Sequence, residues 1–370
     1  MLGNRRRAAW LVILMVGWSA GAASADPARK VGITRDGDVE VVKNPRRPEV
    51  EIKRLILREN LCIGRDPEGM DYVFADLRSI QVDDEGDIIA LDWKDNRIKV
   101  FDDRGRHVRT FGKHGQGPGE LQSPGRMYLK AGKQIAIMDG GNSRYSLYSK
   151  TGECQQEFNM GKYRVFRTIP DSRGFVYGEQ LNFDPQPGIQ LLKISPDFSE
   201  AETLVEFEYD TARGTLDVLF DRLTYGVFPD DRFYWARSSK YEIHILDPAG
   251  REIRRILKDY DPVRVTAADR EKMAKEYMGV EKDRIPGKFP PLFYVLADDR
   301  GRLYVRTYEK DEAGAWVYDI FDPEGRFFAR LSLPGEELLF VVKRDRAYVM
   351  INEDPVEGIP LIKRYVMTWE

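Results

Sequence analysis

The chain has 370 residues, with 58 Lys and Arg against 61 Asp and Glu and a formal net charge of −3. A mildly acidic balance with both signs interspersed provides no concentrated basic face, which argues against a nucleic-acid partner. Aromatic residues reach 11%, and the only two cysteines are too few for a disulfide framework.

The first residues bear on compartment. Arg5, Arg6 and Arg7 are followed by an almost wholly apolar run from Ala8 to Trp18 and by the small-residue pattern Ala23-Ser24-Ala25. That order predicts a signal peptide over 1–25 and an exported protein, periplasmic or extracellular. The apolar run is short for a membrane span of ~20 residues, and no Cys follows it for lipid attachment. Cleavage would lower Lys and Arg to 55 and take the charge to −6, with no membrane span left in the mature chain. Export permits Cys62 and Cys154 to pair, but the sequence leaves this open.

Next comes a repeat. Short apolar strands follow turns at Gly86, Gly132, Gly174, Asp231, Gly301 and Asp345, spaced by 46, 42, 57, 70 and 44 residues. Gly and Asp tolerate turn conformations that bulky residues resist. The first five units carry a second hairpin: residues 97–111, 144–158, 189–207, 242–256 and 317–331. Each unit therefore reads strand, strand, loop, strand, turn, strand, which is a propeller blade.

The sixth unit ends at 361–370 without an outermost strand, while 50–60 is a strand-like segment lacking a hairpin partner. The economical solution is that the N-terminal segment completes the last blade, removing an exposed sheet edge. Residues 31–45 add an outer strand or wrap the rim. The predicted fold is all-β: a six-bladed β-propeller over 73–370, with an N-terminal segment over 26–72 and a short helical insertion at about 259–290, between blades four and five.

Residues DNRIKVFDDRG (95–105) followed by FGKHGQGPGELQSP (111–124) resemble the NHL repeat, and GNSRYSLYSKTG (141–152) resembles it more loosely. With Asn44-Pro45 ahead of the first unit, the chain resembles bacterial exported six-bladed β-propellers. The resemblance implies a platform for proteins, RNA or small ligands, with a few lyase and lactonase relatives.

In a propeller, loops between second and third strands and between blades gather on one face, where function concentrates. Candidate residues there are Asp92, Trp93, Asp139, Arg237 and Arg306. Asp92, Asp139, Glu179 and Asn352 could supply oxygens to a divalent cation such as Ca²⁺; alternatively, the carboxylates cap loops through backbone N–H groups. Arg237 and Arg306 fit an anionic ligand or salt bridges to those acids. His114, with Lys113 and Gln116, marks the tip of the Gly-rich loop at 112–121, which lacks the ending of a phosphate loop. The three histidines form no zinc motif.

Thr266 with Asp269 resembles a capping box, so 266–282 reads as a helix with Ala274, Tyr277 and Met278 on one stripe. It is either packed on the rim or a lid that turns Tyr277, Met278 and Phe289 toward a ligand. The reading is a monomeric binding or scaffold propeller for a protein, peptide, glycan or small ligand, without a required cofactor. The alternative is a metal-assisted hydrolase or lyase.

Overall fold

The computed structural model describes residues 30–48, 55–65, 69–131, 133–182, 187–208, 219–277, 280–355 and 358–369. The expected signal peptide, Gly132 and Met278 lie outside them. Six sheets follow one another in chain order. Their innermost strands are Leu77–Val82, Pro124–Lys130, Val165–Pro170, Leu223–Val227, Tyr294–Ala297 and Leu338–Lys343. Neighbouring inner strands stand side by side around the axis, including the first against the last.

The strand sequences follow from their position in the stack. In Ile88–Asp92 every residue is buried. Alternate side chains of a strand point to opposite faces. Accordingly, Ile88 and Ala90 join a core with Tyr348 and Met350 of blade six, while Ile89 and Leu91 join one with Ile135 and Ile137 of blade two. A sheet covered on both faces therefore reads as a continuous apolar run rather than an alternation. The turn residues behave as expected. Gly86, Gly174 and Gly301 have φ of 97°, 97° and 78°, and Asp231 and Asp345 have 62° and 52°.

Closure comes from the N-terminal side. Leu55–Ile63 pairs antiparallel with the C-terminal strand Leu361–Trp369 and supplies the outermost strand of blade six. The segment before it forms a hairpin, Gly32–Asp36 with Val39–Asn44, whose second strand runs parallel to Glu252–Lys258. Blade four therefore has six strands. Asn44 anchors this addition. Its side chain is buried, donates to Leu257 O at 3.2 Å and Gly325 O at 2.9 Å, and accepts from Phe327 N at 2.8 Å, spanning blades four and five.

The insertion helix, Ala267–Glu276, is shorter than expected. Its capping box is complete: Asp269 N donates to Thr266 Oγ1 at 3.1 Å and Thr266 N to Asp269 Oδ2 at 2.8 Å. Tyr277 is already extended. The packed face carries Met273, which joins Val265, Val280, Ile285, Phe220 and Phe289, whereas Tyr277 is exposed. Cys62 and Cys154 are both free thiols.

Removing Asn44's side chain leaves a buried N–H and two carbonyls unpaired, at about 1–3 kcal/mol for each unsatisfied group. Asn44→Ala should therefore lower unfolding stability by about 2–4 kcal/mol in a urea titration; a loss within error would mean the hairpin is an ornament.

Candidate functional site

The residues singled out as metal ligands have other partners. Asp92 is buried and accepts from Ala75 N and Asp76 N, both at 3.0 Å. Asp139 is buried and accepts from Gln122 N at 2.9 Å and from Asn142 Nδ2 at 2.6 Å. Each carboxylate thus fastens the incoming loop to the end of its blade's second strand. Burial pushes both carboxyls above the ordinary range, with the backbone N–H groups pulling the other way. Glu179 pairs with Arg167, and Asn352 is exposed. Among the described residues no three His, Cys, Asp or Glu side chains stand together as a ligand set. The donor grouping Asp92, Asp139, Glu179 and Asn352 is therefore not brought together, because each buried carboxylate is spent on a local donor.

The remaining candidates are dispersed. Arg237 pairs with Asp221, its Nε donating at 3.0 Å, and lies over the Phe207 ring. Trp93 carries the Arg78 guanidinium 4.7 Å from its ring centre. His114 and Gln116 are exposed, as is Lys113, which pairs with Glu120 at 2.7 Å. The Gly-rich loop itself is pinned to blade two: Asn142 donates to Gly115 O, and Arg144 to Gly117 O and Glu120 O.

The structure does build a cavity on the ring axis. It has a volume of about 280 Å³ and is lined by residues on or next to the inner strands of all six blades, among them Gln81, Arg126, Arg167, Arg222, Phe293 and Leu338. Sequence reasoning had singled out none of these three arginines. Arg126 and Arg167 sit where their inner strands break register, between Pro124 and Met127 and between Phe166 and Ile169. A bulge of this kind re-aims a side chain. Arg167 also has φ 53°, in the left-handed region that bulky residues avoid. Its neighbours hold it there: the guanidinium meets Glu179 and donates to Leu223 O at 2.6 Å, and Tyr225 Oη donates to Arg167 O.

Arg222 precedes the inner strand of blade four and lies 4.4 Å from the centre of the Phe293 ring. Arg306, a sequence candidate, lies 4.6 Å from the same ring and 4.7 Å from Trp316. Phe293 packs edge-on against Tyr308, which stacks on Phe289 of the insertion at 4.5 Å. The insertion thus sits one aromatic layer from the cavity on the loop face. Burial and the like charges of Arg167 and Arg126 pull the Arg222 guanidinium below its ordinary value, against Tyr308 and Tyr277. Sequence could have offered only a weak signal, an Arg at or near the start of three consecutive inner strands.

If Asp139 is a fastener, Asp139→Ala should cost about 1–3 kcal/mol in unfolding stability. EDTA and added Ca²⁺ should leave the parent's unfolding midpoint unchanged; a midpoint that falls in EDTA and recovers with one metal would contradict this role.

The family described as 6-bladed beta-propeller (DUF5128) matches residues 71–211. No curated protein matches the chain. Among solved structures, a member of the DUF4221 family from Bacteroides vulgatus is 12% identical, with a TM-score of 0.56 over 86% of this chain and 99% of that one. A protein from Bacteroides fragilis is 10% identical, with a TM-score of 0.56 over 89% of this chain and 99% of that one. A gluconolactonase from Xanthomonas campestris is 12% identical, with a TM-score of 0.50 over 85% and 90%. At such identities the likeness extends to the fold alone, and with the ring of six sheets it identifies the chain as a six-bladed β-propeller.

Proposed function

We propose that this protein is an exported binding propeller that takes a small ligand, or the narrow end of a glycan or peptide, into the axial cavity at its loop face. The observation that carries the reading is the cavity of about 280 Å³, walled by residues from every blade, with charged or aromatic side chains from blades two to six. Ligand sites are concave and apolar with a few convergent polar groups, and rings of packed sheets hold such groups rigidly. The N-terminal pattern at 1–25 supports export, and the NHL-like repeat at 95–124 supports a binding platform. No helix among the described residues is long and apolar enough to cross a membrane.

The metal-assisted hydrolase or lyase reading finds less support. A divalent cation prefers several oxygen donors in one coordination sphere, and the carboxylates in question are each committed to backbone or guanidinium partners. A lactonase with the same fold does not alter this, since unrelated functions share folds.

Two outcomes follow. A ligand identified by its protection of the native state should raise stability by about 1.4 kcal/mol at ten times its Kd. Leu338→Trp or Gln81→Trp, which fill the cavity, should abolish that protection while the circular dichroism spectrum stays the same. Undiminished protection in both folded variants would place the ligand elsewhere. Independently, intact-mass analysis of the exported protein should show a chain beginning at Asp26; a retained Met1 in the envelope fraction would contradict cleavage.

A further inference from the structure

The arginines of the cavity hold more positive charge than the fold uses. Arg167 is answered by Glu179. Among the described residues no carboxylate stands within ion-pair distance of Arg126, Arg222 or Arg306, and their recorded side-chain contacts are with rings. Arg126 lies 5.2 Å from the Phe340 ring centre, on blade six, and Arg222 and Arg306 share Phe293. A guanidinium laid on a ring keeps its in-plane N–H donors free, in the fork that matches a planar oxyanion. Arg306, whose Nε is buried without a hydrogen-bond partner, stands behind Phe293 rather than on the cavity wall and adds positive charge from there.

The arrangement is also unfavourable in the empty protein. Arg126, Arg167 and Arg222 come from three consecutive blades and face one cavity. Only one of the three has a carboxylate partner, Glu179, whose charge also acts on Arg222 and Arg126; burial first, and after it the like charges of Arg167 and Arg126, pull the Arg222 guanidinium below its ordinary value. The Arg167 backbone is meanwhile held in a conformation that needs support from blade four. Strain and unbalanced charge of this sort persist at sites where a ligand relieves them.

We propose that the cavity recognises a small ligand carrying two or more oxyanion charges, with Arg126 and Arg222 as the groups that bind them. Carboxylate, phosphate and sulfate share that chemistry. Arg167 is a positioning residue: its pairing with Glu179 turns it along the wall and leaves the other guanidinium groups to the ligand. This rests on the axial cavity being the binding site.

The test uses the whole protein with citrate, inorganic phosphate and sulfate as probes and glucose as the uncharged control, by titration calorimetry at low and at high NaCl. At least one oxyanion should bind, with affinity falling as salt rises, and glucose should not. The preferred anion separates a carboxylate source from a phosphate or a sulfate source. Arg222→Met and Arg126→Met should each weaken binding at least about tenfold, the loss of one charge-assisted contact. Arg104→Met, at an exposed turn, should change nothing. In the ligand-free protein, Arg222→Met should raise the unfolding midpoint by about 1–3 °C through relief of repulsion. Arg126, being exposed, keeps the test open if the Arg222 variant fails to fold. Binding that survives both substitutions, a lower midpoint in folded Arg222→Met, or no binding by any of the three anions overturns the oxyanion assignment. A neutral ligand blocked by Leu338→Trp would leave the cavity standing as a binding site all the same.

Discussion

A ring of sheets is stable only if its last blade finds a fourth strand. Here that strand lies some three hundred residues away in sequence, and the pairing runs from Leu55 against Trp369 to Ile63 against Ile362. Without it, blade six would expose a long hydrogen-bonding edge and the blade six to blade one core would open. That core includes Ile88 and Ala90 on one side and Tyr348 and Met350 on the other. Closure also makes the axial cavity, because inner strands from six blades can enclose a space only when the first and last are neighbours. The N-terminal hairpin adds a second tether, with Asn44 spanning blades four and five.

Polar groups in this molecule divide by what surrounds them. Asp92 and Asp139 end second strands, where the incoming chain presents unpaired backbone N–H groups close by. A buried carboxylate takes such donors readily, since leaving either partner unpaired is costly. The same rule fixes the hairpin turns, where Asp83 Oδ1 accepts from the N–H groups of Glu85, Gly86 and Asp87. The arginines on or beside the inner strands face an open cavity instead; aromatic rings support Arg126 and Arg222, while Arg167 has Glu179. A cationic, ring-walled cavity on an otherwise acidic protein concentrates positive potential at one point. The insertion reaches the cavity wall only indirectly, Phe289 stacking on Tyr308 of blade five and Tyr308 packing on Phe293, with the helix itself farther out.

Most of the fold was legible in the chain. The turn residues at Gly86, Gly174, Asp231, Gly301 and Asp345, the paired hairpins and the orphan strand at 50–60 are local or periodic features, and local hydrogen bonding and side-chain alternation decide them. The strand that closes the ring, Leu55–Ile63, lies only slightly beyond the expected segment. The capping box at Thr266 and Asp269 was equally local. The helix it starts stops at Glu276 rather than 282, and its packed face carries Met273 rather than Tyr277, since contact with Phe220 and Phe289 decided its orientation.

The site was much less legible, for a physical reason. Sequence shows which residues could hold a cation, but not which backbone N–H will reach a carboxylate first; Asp92 and Asp139 looked convergent and are separately capped. Arg126, Arg167 and Arg222 lie in three different blades and converge only through closure, two of them through bulges that no spacing rule reveals. By itself, then, the sequence determined the six-unit repeat, its turns and the means of closing the ring, because these depend on neighbours along the chain and on alternation. Only the tertiary structure decided which charged groups face the axis, because that depends on strand register and on partners brought in from other blades.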